Sequence, residues 1–289
     1  MNTNELLVTR IQTSLNTNVL TLAPLSGGSI ASAYHADIEG GGSVFVKISP
    51  QHPDMFRKEA NGLNELRRSN AIKIPRVIVA TEDILILEYL PVTSPVRREL
   101  FFGLLGKQLA QMHRTVSDRY GFTEDNYIGS TVQKNQPYSL SWKEFFLANR
   151  MEFQFRLAES NGYCDKEFLT LFRKMESLSD KILVDDGEQP ALLHGDLWSG
   201  NFLCTENDTP VLIDPAVYYG HREMDLSMTM LFGGFDGAFY ASYDEAYPLK
   251  DDWKRRCKLY SLYHLFNHLN LFGESYYRQI NAVMKDLLR

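Results

Sequence analysis

The stretch LLHGDLWSGNFL, residues 192–203, sets a histidine, an aspartate and an asparagine between two apolar flanks. Polar side chains inside buried chain cost free energy unless partners or a ligand satisfy them. Four residues separate Asp196 from Asn201, and a second apolar run, PVLIDPAV (210–217), brings in Asp214. An Asp–x4–Asn turn followed by such an aspartate has the residue types for phosphoryl transfer. One carboxylate takes the proton of an attacking hydroxyl, while an amide and a second carboxylate bind Mg²⁺ on nucleotide phosphates. Mg²⁺ is a hard cation that selects the oxygen ligands these groups supply. The plainer reading is a turn whose polar side chains cap its own backbone.

A matching set lies upstream, in the order this chemistry needs. SGGSIAS (26–32) carries Gly27, Gly28 and Ser29 between two strand-like runs. Main-chain N–H groups in such a turn can reach phosphates without Cβ interference. In SVFVKIS (43–49), Val44, Val46 and Ile48 alternate with Phe45 and Lys47, so the lysine faces away from the aliphatic set. Glu59, on the helical segment that follows, can pair with it, with Glu65 on the same segment as competitor. ILEYLP then reads as a hinge, where the main chain of Glu88, Tyr89 and Leu90 would meet an adenine edge. Taken singly, the glycines make a hairpin turn, the lysine a solvated strand residue and Asp214-Pro215 a strand end. Taken together in one order, the elements specify far more than any one of them.

HGDLWSGN, LIDPAVYYGHREMDLSM, LYHLFNHLNLFG and YGFTEDNYIGSTVQKNQPYSLSW carry a resemblance that runs from about residue 20 to the end. They resemble the fructosamine (ketosamine) kinases, within the protein-kinase-like fold that also hosts aminoglycoside and choline kinases. The resemblance implies ATP-dependent phosphorylation of a sugar hydroxyl, such as the 3-hydroxyl of a fructosamine or ribulosamine, as a deglycation-type repair step. It implies Asp196 as the base, Asn201 and Asp214 as Mg²⁺ ligands, Lys47 as the phosphate contact and Glu59 as its partner. ATP and Mg²⁺ are the implied cofactors. Trp198 is either core packing or a wall of the sugar site, and Asp125 with Asn126 is a candidate contact for the substrate. Asp225 resembles a residue that braces the catalytic loop from a helix start, and His194 reads as a structural brace. Gly195 stands where protein kinases carry the arginine that receives an activation-loop phosphate, so constitutive activity is expected.

Rival readings remain at this level. A kinase of the same fold acting on an aminoglycoside, choline or homoserine is the nearest. A catalytically inactive ATP-binding module would commonly have lost one of Lys47, Asp196, Asn201 or Asp214. A metal-dependent hydrolase built on His194, Asp196 and Asp214 leaves the strand lysine and glycine turn unexplained. His264 and His268 share a helix face, yet neither a HExxH glutamate nor a third ligand accompanies them, which favours packing over zinc.

Around these residues the chain reads as α+β and bilobal. An amphipathic first helix carries Leu6, Leu7, Ile11 and Leu15. Five strands (17–25, 33–38, 43–49, 74–80 and 84–91) and a helix at 53–69 make an antiparallel nucleotide-binding lobe, residues 1–90. Residues 91–289 read as a larger catalytic and substrate-binding lobe with helices at 97–118, 141–160, 165–184 and 251–288. The loop at 121–142 between the first two is rich in aromatic and amide groups, a composition that suits sugar-like ligands. The 289 residues are 44% hydrophobic and 23% charged, ample for a core, and the net charge of −6 argues against a nucleic-acid or acidic-membrane binder. Cys164, Cys204 and Cys257 form no CxxC pair, which fits a reducing cytoplasm. No apolar run approaches the ~20 residues that span a bilayer. The expected partners are a ketosamine or other glycated amine, free or protein-bound, with no nucleic acid and no membrane, and the expected state is a monomer or weak homodimer.

Overall fold

The computed structural model of the protein describes residues 3–25, 31–48, 52–183 and 187–289. Helix α1 (Thr3–Leu15) leads into β1 (Val19–Leu25), β2 (Ser32–Ile38) and β3 (Ser43–Ile48). Helix α2 (Met55–Arg68) follows, then β4 (Val77–Ala80) and β5 (Ile84–Glu88). The five strands form one antiparallel sheet in the order β1-β2-β3-β5-β4. The alternation of side chains along β3 and β5 divides the core in two. Val44, Val46, Ile84 and Ile86 pack with Leu7 and Ile11 of α1. Phe45, Leu85 and Leu87 face the other way, toward α2, where Phe56, Ala60, Leu63 and Leu66 are buried at helical spacing. Lys47 shares the face of Phe45, so the strand period turns it toward α2.

Past Glu88 the chain is mainly helical. Helix α3 (Arg98–Met112) ends earlier than the expected 118, because Val116 leaves to bridge Ala191. The segment expected as an open loop contains a hairpin, β6 (Asn126–Ile128) with β7 (Thr131–Gln133). The helix expected at 141–160 is α4 (Trp142–Phe145), a π segment at Phe146–Glu152 and α5 (Phe153–Ser160). Helix α6 (Lys166–Ile182) leads to β8 (Ala191–Leu193), β9 (Phe202–Thr205), β10 (Thr209–Leu212) and β11 (Tyr218–Gly220). These pair as β8 with β11 and β9 with β10. Helices α7 (Glu223–Leu231), α8 (Gly237–Ala246), α9 (Trp253–Phe272) and α10 (Tyr277–Leu287) complete the lobe. The last two divide at Gly273, whose φ of +86° ends α9. No described helix is long and apolar enough to cross a membrane.

Helix α9 is buried nearly all round, which leaves His264 at 1% exposure. Burial, reinforced by His268, pushes the His264 pKa from the ordinary 6.5 down to about 3. The folded imidazole therefore stays neutral where the unfolded chain is protonated. Between pH 6.5 and about 3 the unfolded state binds more protons, so stability falls as the pH falls through that window. His264→Leu should flatten the acid limb of the unfolding free energy by up to one proton, about 1.4 kcal/mol per pH unit. Denaturant titrations across that range check this; an unchanged slope would mean that His264 titrates in the fold as it does in the unfolded chain.

Candidate active site

Lys47 on β3 is 9% exposed, and its ammonium has two carboxylates. Its Nζ donates to Glu59 Oε1 of α2 at 2.8 Å and to Asp214 Oδ1 at 2.6 Å. Burial works against the charge on Lys47, but Asp214 and Glu59 outweigh it and hold the pKa above the ordinary lysine value. Burial raises the Glu59 pKa, with the Lys47 charge opposing. Glu65, the competitor in sequence, accepts instead from Tyr219 and Arg68. The helix thus selects Glu59 by register: it points from the same turn as Ala60 and Leu63, the stripe that meets the sheet.

The LLHGDLWSGN segment leaves β8 as a tight loop fixed by main-chain bonds. Asp225, at the start of α7, accepts from His194 N and Gly195 N, each at 2.8 Å, and from His113 Nε2 at 3.1 Å. It is the brace expected of it. His194 is fully buried, with Nε2 against Ile213 O at 2.9 Å and Nδ1 accepting from Asp196 N at 3.3 Å. Both ring nitrogens are engaged, which removes His194 from any metal-ligand set and with it the hydrolase reading. Ala216 N donates to His194 O, tying this loop to the segment that carries Asp214. Asp214 has φ +54°, a strained left-handed conformation for a non-glycine residue of the kind that clusters at functional sites.

Asn201 Nδ2 donates to Asp196 O at 2.8 Å and to Asp196 Oδ2 at 3.1 Å. The same Nδ2 lies 3.5 Å from Asp214 O, so the Asn201 amide sits between the two aspartates. Burial pushes the Asp196 carboxyl up to about 7; the bond from Asn201 opposes the rise, and Asp214 and Asp225 add to it. A carboxylate with that affinity for protons is suited to general-base work near neutrality. The donor set fits Mg²⁺, which is commonly held by one or two protein oxygens together with substrate phosphates. Among the described residues no group of three or more His, Cys, Asp or Glu forms an all-protein metal cage.

The remaining expected residues divide. β5 pairs through Glu88, which lies opposite Val44, and Tyr89 and Leu90 then leave the ladder, as a hinge requires. The Glu88 carboxylate turns back to Arg76 N at 3.2 Å, and Tyr89 packs on His35 with centroids 4.2 Å apart. Trp198 is 40% exposed, its indole lying across Gly200, so it is not core. Asp125 and Asn126, the expected substrate contacts, both carry hydrogen bonds within the protein. Asp125 accepts from Lys134 Nζ at 2.7 Å, Asn135 N at 2.7 Å and Gln136 N at 3.0 Å, so its carboxylate closes its own loop. Asn126 is buried; it donates to Val217 O at 2.7 Å and accepts from Gln133 and Asn135. Gly27, Gly28 and Ser29 lie outside the described residues.

The sequence reading missed a buried polar layer beneath the site. Gln133 Nε2 donates to Ala216 O at 2.8 Å, and Tyr263 donates to Gln133 Oε1 at 2.8 Å. The π segment turns Arg150 inward, where its guanidinium lies 4.0 Å from the Tyr218 ring centroid and bonds to Asn135 Oδ1 at 2.8 Å and to Lys134 O. The only trace of this layer in the sequence is the density of amides in STVQKNQ.

A five-stranded lobe carrying a lysine–helix glutamate pair, set over a loop with Asp196, Asn201 and Asp214, defines a phosphotransferase of protein-kinase-like fold. The fructosamine kinase family model matches residues 3–289, and the chain belongs to that family. It is 38% identical over 271 residues to a Synechocystis protein provisionally named a ketoamine kinase, covering 92% of this chain and 89% of that one. It is 35% identical over 285 residues to the chloroplastic protein-ribulosamine 3-kinase of Arabidopsis thaliana, covering 94% and 84%. A crystal structure from Thermobifida fusca, provisionally named a fructosamine-3-kinase, superimposes with a TM-score of 0.89 at 32% identity, covering 98% of each chain.

The loop geometry makes one substitution diagnostic. Gly195 has φ +83°, and a Cβ there would stand 1.9 Å from Ala216 O. Gly195→Ala must therefore push the catalytic loop off the Asp214 segment. We expect turnover to fall at least about 100-fold, some 2.7 kcal/mol in the barrier; wild-type kcat in the soluble variant would show that the loop tolerates the shift.

Proposed function

We propose that the protein transfers the γ-phosphoryl group of ATP to a sugar hydroxyl, the 3-hydroxyl of a ketosamine such as a fructosamine or ribulosamine adduct of an amine. The observation that carries this is the pairing of Lys47 with both Glu59 and Asp214, beside an Asp196–Asn201 turn whose carboxylate pKa is raised to about 7 by burial. Asp196 accepts the hydroxyl proton as attack begins, and Asn201 orients that carboxylate through its amide. Lys47, held by its two carboxylates, presents positive charge to the nucleotide phosphates. Asn201 Oδ1 and Asp214 would hold Mg²⁺, which when bound offsets charge on the phosphates. The main chain at Glu88–Leu90 receives the adenine edge, and Gly27, Gly28 and Ser29 belong to the phosphate turn. The half-exposed Trp198 offers a flat wall to the sugar end of the substrate. The amine is a small molecule or a lysine of a glycated protein, and the setting is the cytoplasm.

ATP consumption with Mg²⁺ and a ribulosamine-lysine or fructosamine-lysine tests the reading, with Asp196→Asn as the blank. We expect phosphate transfer by the wild type and a loss of about 10²–10⁴-fold in Asp196→Asn with nucleotide affinity retained. Transfer to an aminoglycoside, choline or homoserine but to neither ketosamine would replace the substrate assignment. Lys47→Ala should lower kcat/KM for ATP by roughly 100-fold or more, because it strands Glu59 and Asp214 together as well as removing the phosphate contact. Unchanged kcat/KM would take Lys47 out of the site.

A further inference from the structure

Helix α2 carries two stripes at helical spacing. The apolar one meets the sheet and brings Glu59 to Lys47. The other is polar (Asp54, Lys58, Asn61 and Glu65) and its partners all lie outside the sheet. Asp54 Oδ1 accepts from the Tyr127 hydroxyl at 2.7 Å, and Lys58 pairs with Asp54 while lying 5.0 Å from the Tyr127 ring centroid. Farther along the helix, Asn61 Nδ2 donates to Glu124 Oε1 at 2.6 Å. One turn beyond, Glu65 Oε1 accepts from the Tyr219 hydroxyl at 2.7 Å. Between these contacts α2 comes down on the segment after Asp214, where a Cβ at Gly62 would lie 3.0 Å from Val217 Cγ2.

Tyr127 is in the middle of hairpin β6–β7, and Glu124 is just ahead of it. Other side chains of the same hairpin hold the Asp214 segment from beneath, Gln133 at Ala216 O and Asn126 at Val217 O. One short hairpin therefore grips both the helix that supplies Glu59 and the segment that supplies Asp214, the two carboxylates of Lys47. None of these contacts reaches the reacting groups themselves.

We propose that hairpin β6–β7, together with Tyr219, is a clamp that locks α2 in the position where Glu59 meets Lys47, with Asn61, Glu124, Tyr127 and Tyr219 as positioning residues. Held along its length, α2 cannot swing outward without losing several hydrogen bonds to carboxylates at once. The Lys47 pairing then stands without phosphorylation or a partner protein to enforce it. This deepens the kinase reading and rests on it.

Asn61 is exposed, so it can be changed without disturbing the core. Asn61→Asp sets a second carboxylate against Glu124, and adding Glu124→Gln restores a donor–acceptor pair. In full-length protein with Asn61→Asp, we expect α2 amides to exchange hydrogen at least about fivefold faster than in the wild type. We also expect kcat/KM for ATP to fall roughly five- to twentyfold, mainly through KM. Both should return to within about twofold of wild type in Asn61→Asp/Glu124→Gln. Tyr127→Phe/Tyr219→Phe should lose activity in the same direction in the wild-type background and lose nothing further in a Glu59→Gln background. Unaltered α2 exchange in Asn61→Asp, absence of rescue by Glu124→Gln, or an equal loss in the Glu59→Gln background would each overturn the clamp. The exchange measurement needs no substrate, so a wild type that transfers no phosphate would defeat the kinase reading while leaving this test in force.

Discussion

A lysine ammonium taken out of water is the constraint on which the rest of this molecule depends. Lys47 is buried, and a buried cation is tolerated only when paired and hydrogen-bonded. Its two carboxylates come from different parts of the chain, Glu59 from the helix over the sheet and Asp214 from the segment after β10. Removing Lys47 would leave the two carboxylates facing one another with no cation between them. The sheet, α2 and the helical lobe must therefore meet at one point to satisfy one side chain. The two-sided burial of β3 follows from this. Val44 and Val46 anchor the strand on α1, so that Phe45 and Lys47 can face α2.

The catalytic loop is fixed by a different physical means. Where Lys47 is held by charge, the loop around Asp196 is held by main-chain hydrogen bonds. Asp225 collects two consecutive N–H groups, Ala216 N returns to His194 O, and Ile213 N donates to Asn201 O. Those bonds, two of them to the Asp225 carboxylate, set the backbone that carries Asp196 and Asn201. Gly195 is the cost of that arrangement: the loop and the Asp214 segment approach too closely there for any Cβ. An arginine at this position, the residue that links catalytic loops to phosphorylated segments in protein kinases, has no room on this backbone.

The legible part of this architecture was the part written in periodic patterns. Alternation in SVFVKIS placed Lys47 on a strand facing away from the valines, and the spacing of α2 put Glu59 within its reach. Aspartate, asparagine and aspartate in order gave the turn. Glu59 and Glu65 could not be separated by pattern, because the choice rests on Tyr219 capturing Glu65 from a distant strand. The hairpin inside 121–142 is invisible to pattern because strands of three residues are too short to show a period. Its amides are spent on carbonyls some eighty residues away, Ala216 and Val217. Arg150 escaped for a related reason: a π segment widens the helix and shifts its phase, so a side chain that 3.6-residue spacing would not bury is turned into the core.

Asp125 and Asn126 show how far composition alone leaves the role of a loop open. An aromatic- and amide-rich loop near a cleft suits a sugar, and by composition alone a binding loop and a bracing loop look the same. What distinguishes them is whether the polar groups are already satisfied. Asp125 takes three donors within its own loop, and Asn126, Gln133 and Asn135 bond to one another and to the Asp214 segment. Redirecting any of them to a ligand would break bonds that are buried and therefore expensive to leave unmade. The segment recognises its own protein. It ties the segment after Asp214 to α2, the helix that brings Glu59 to Lys47.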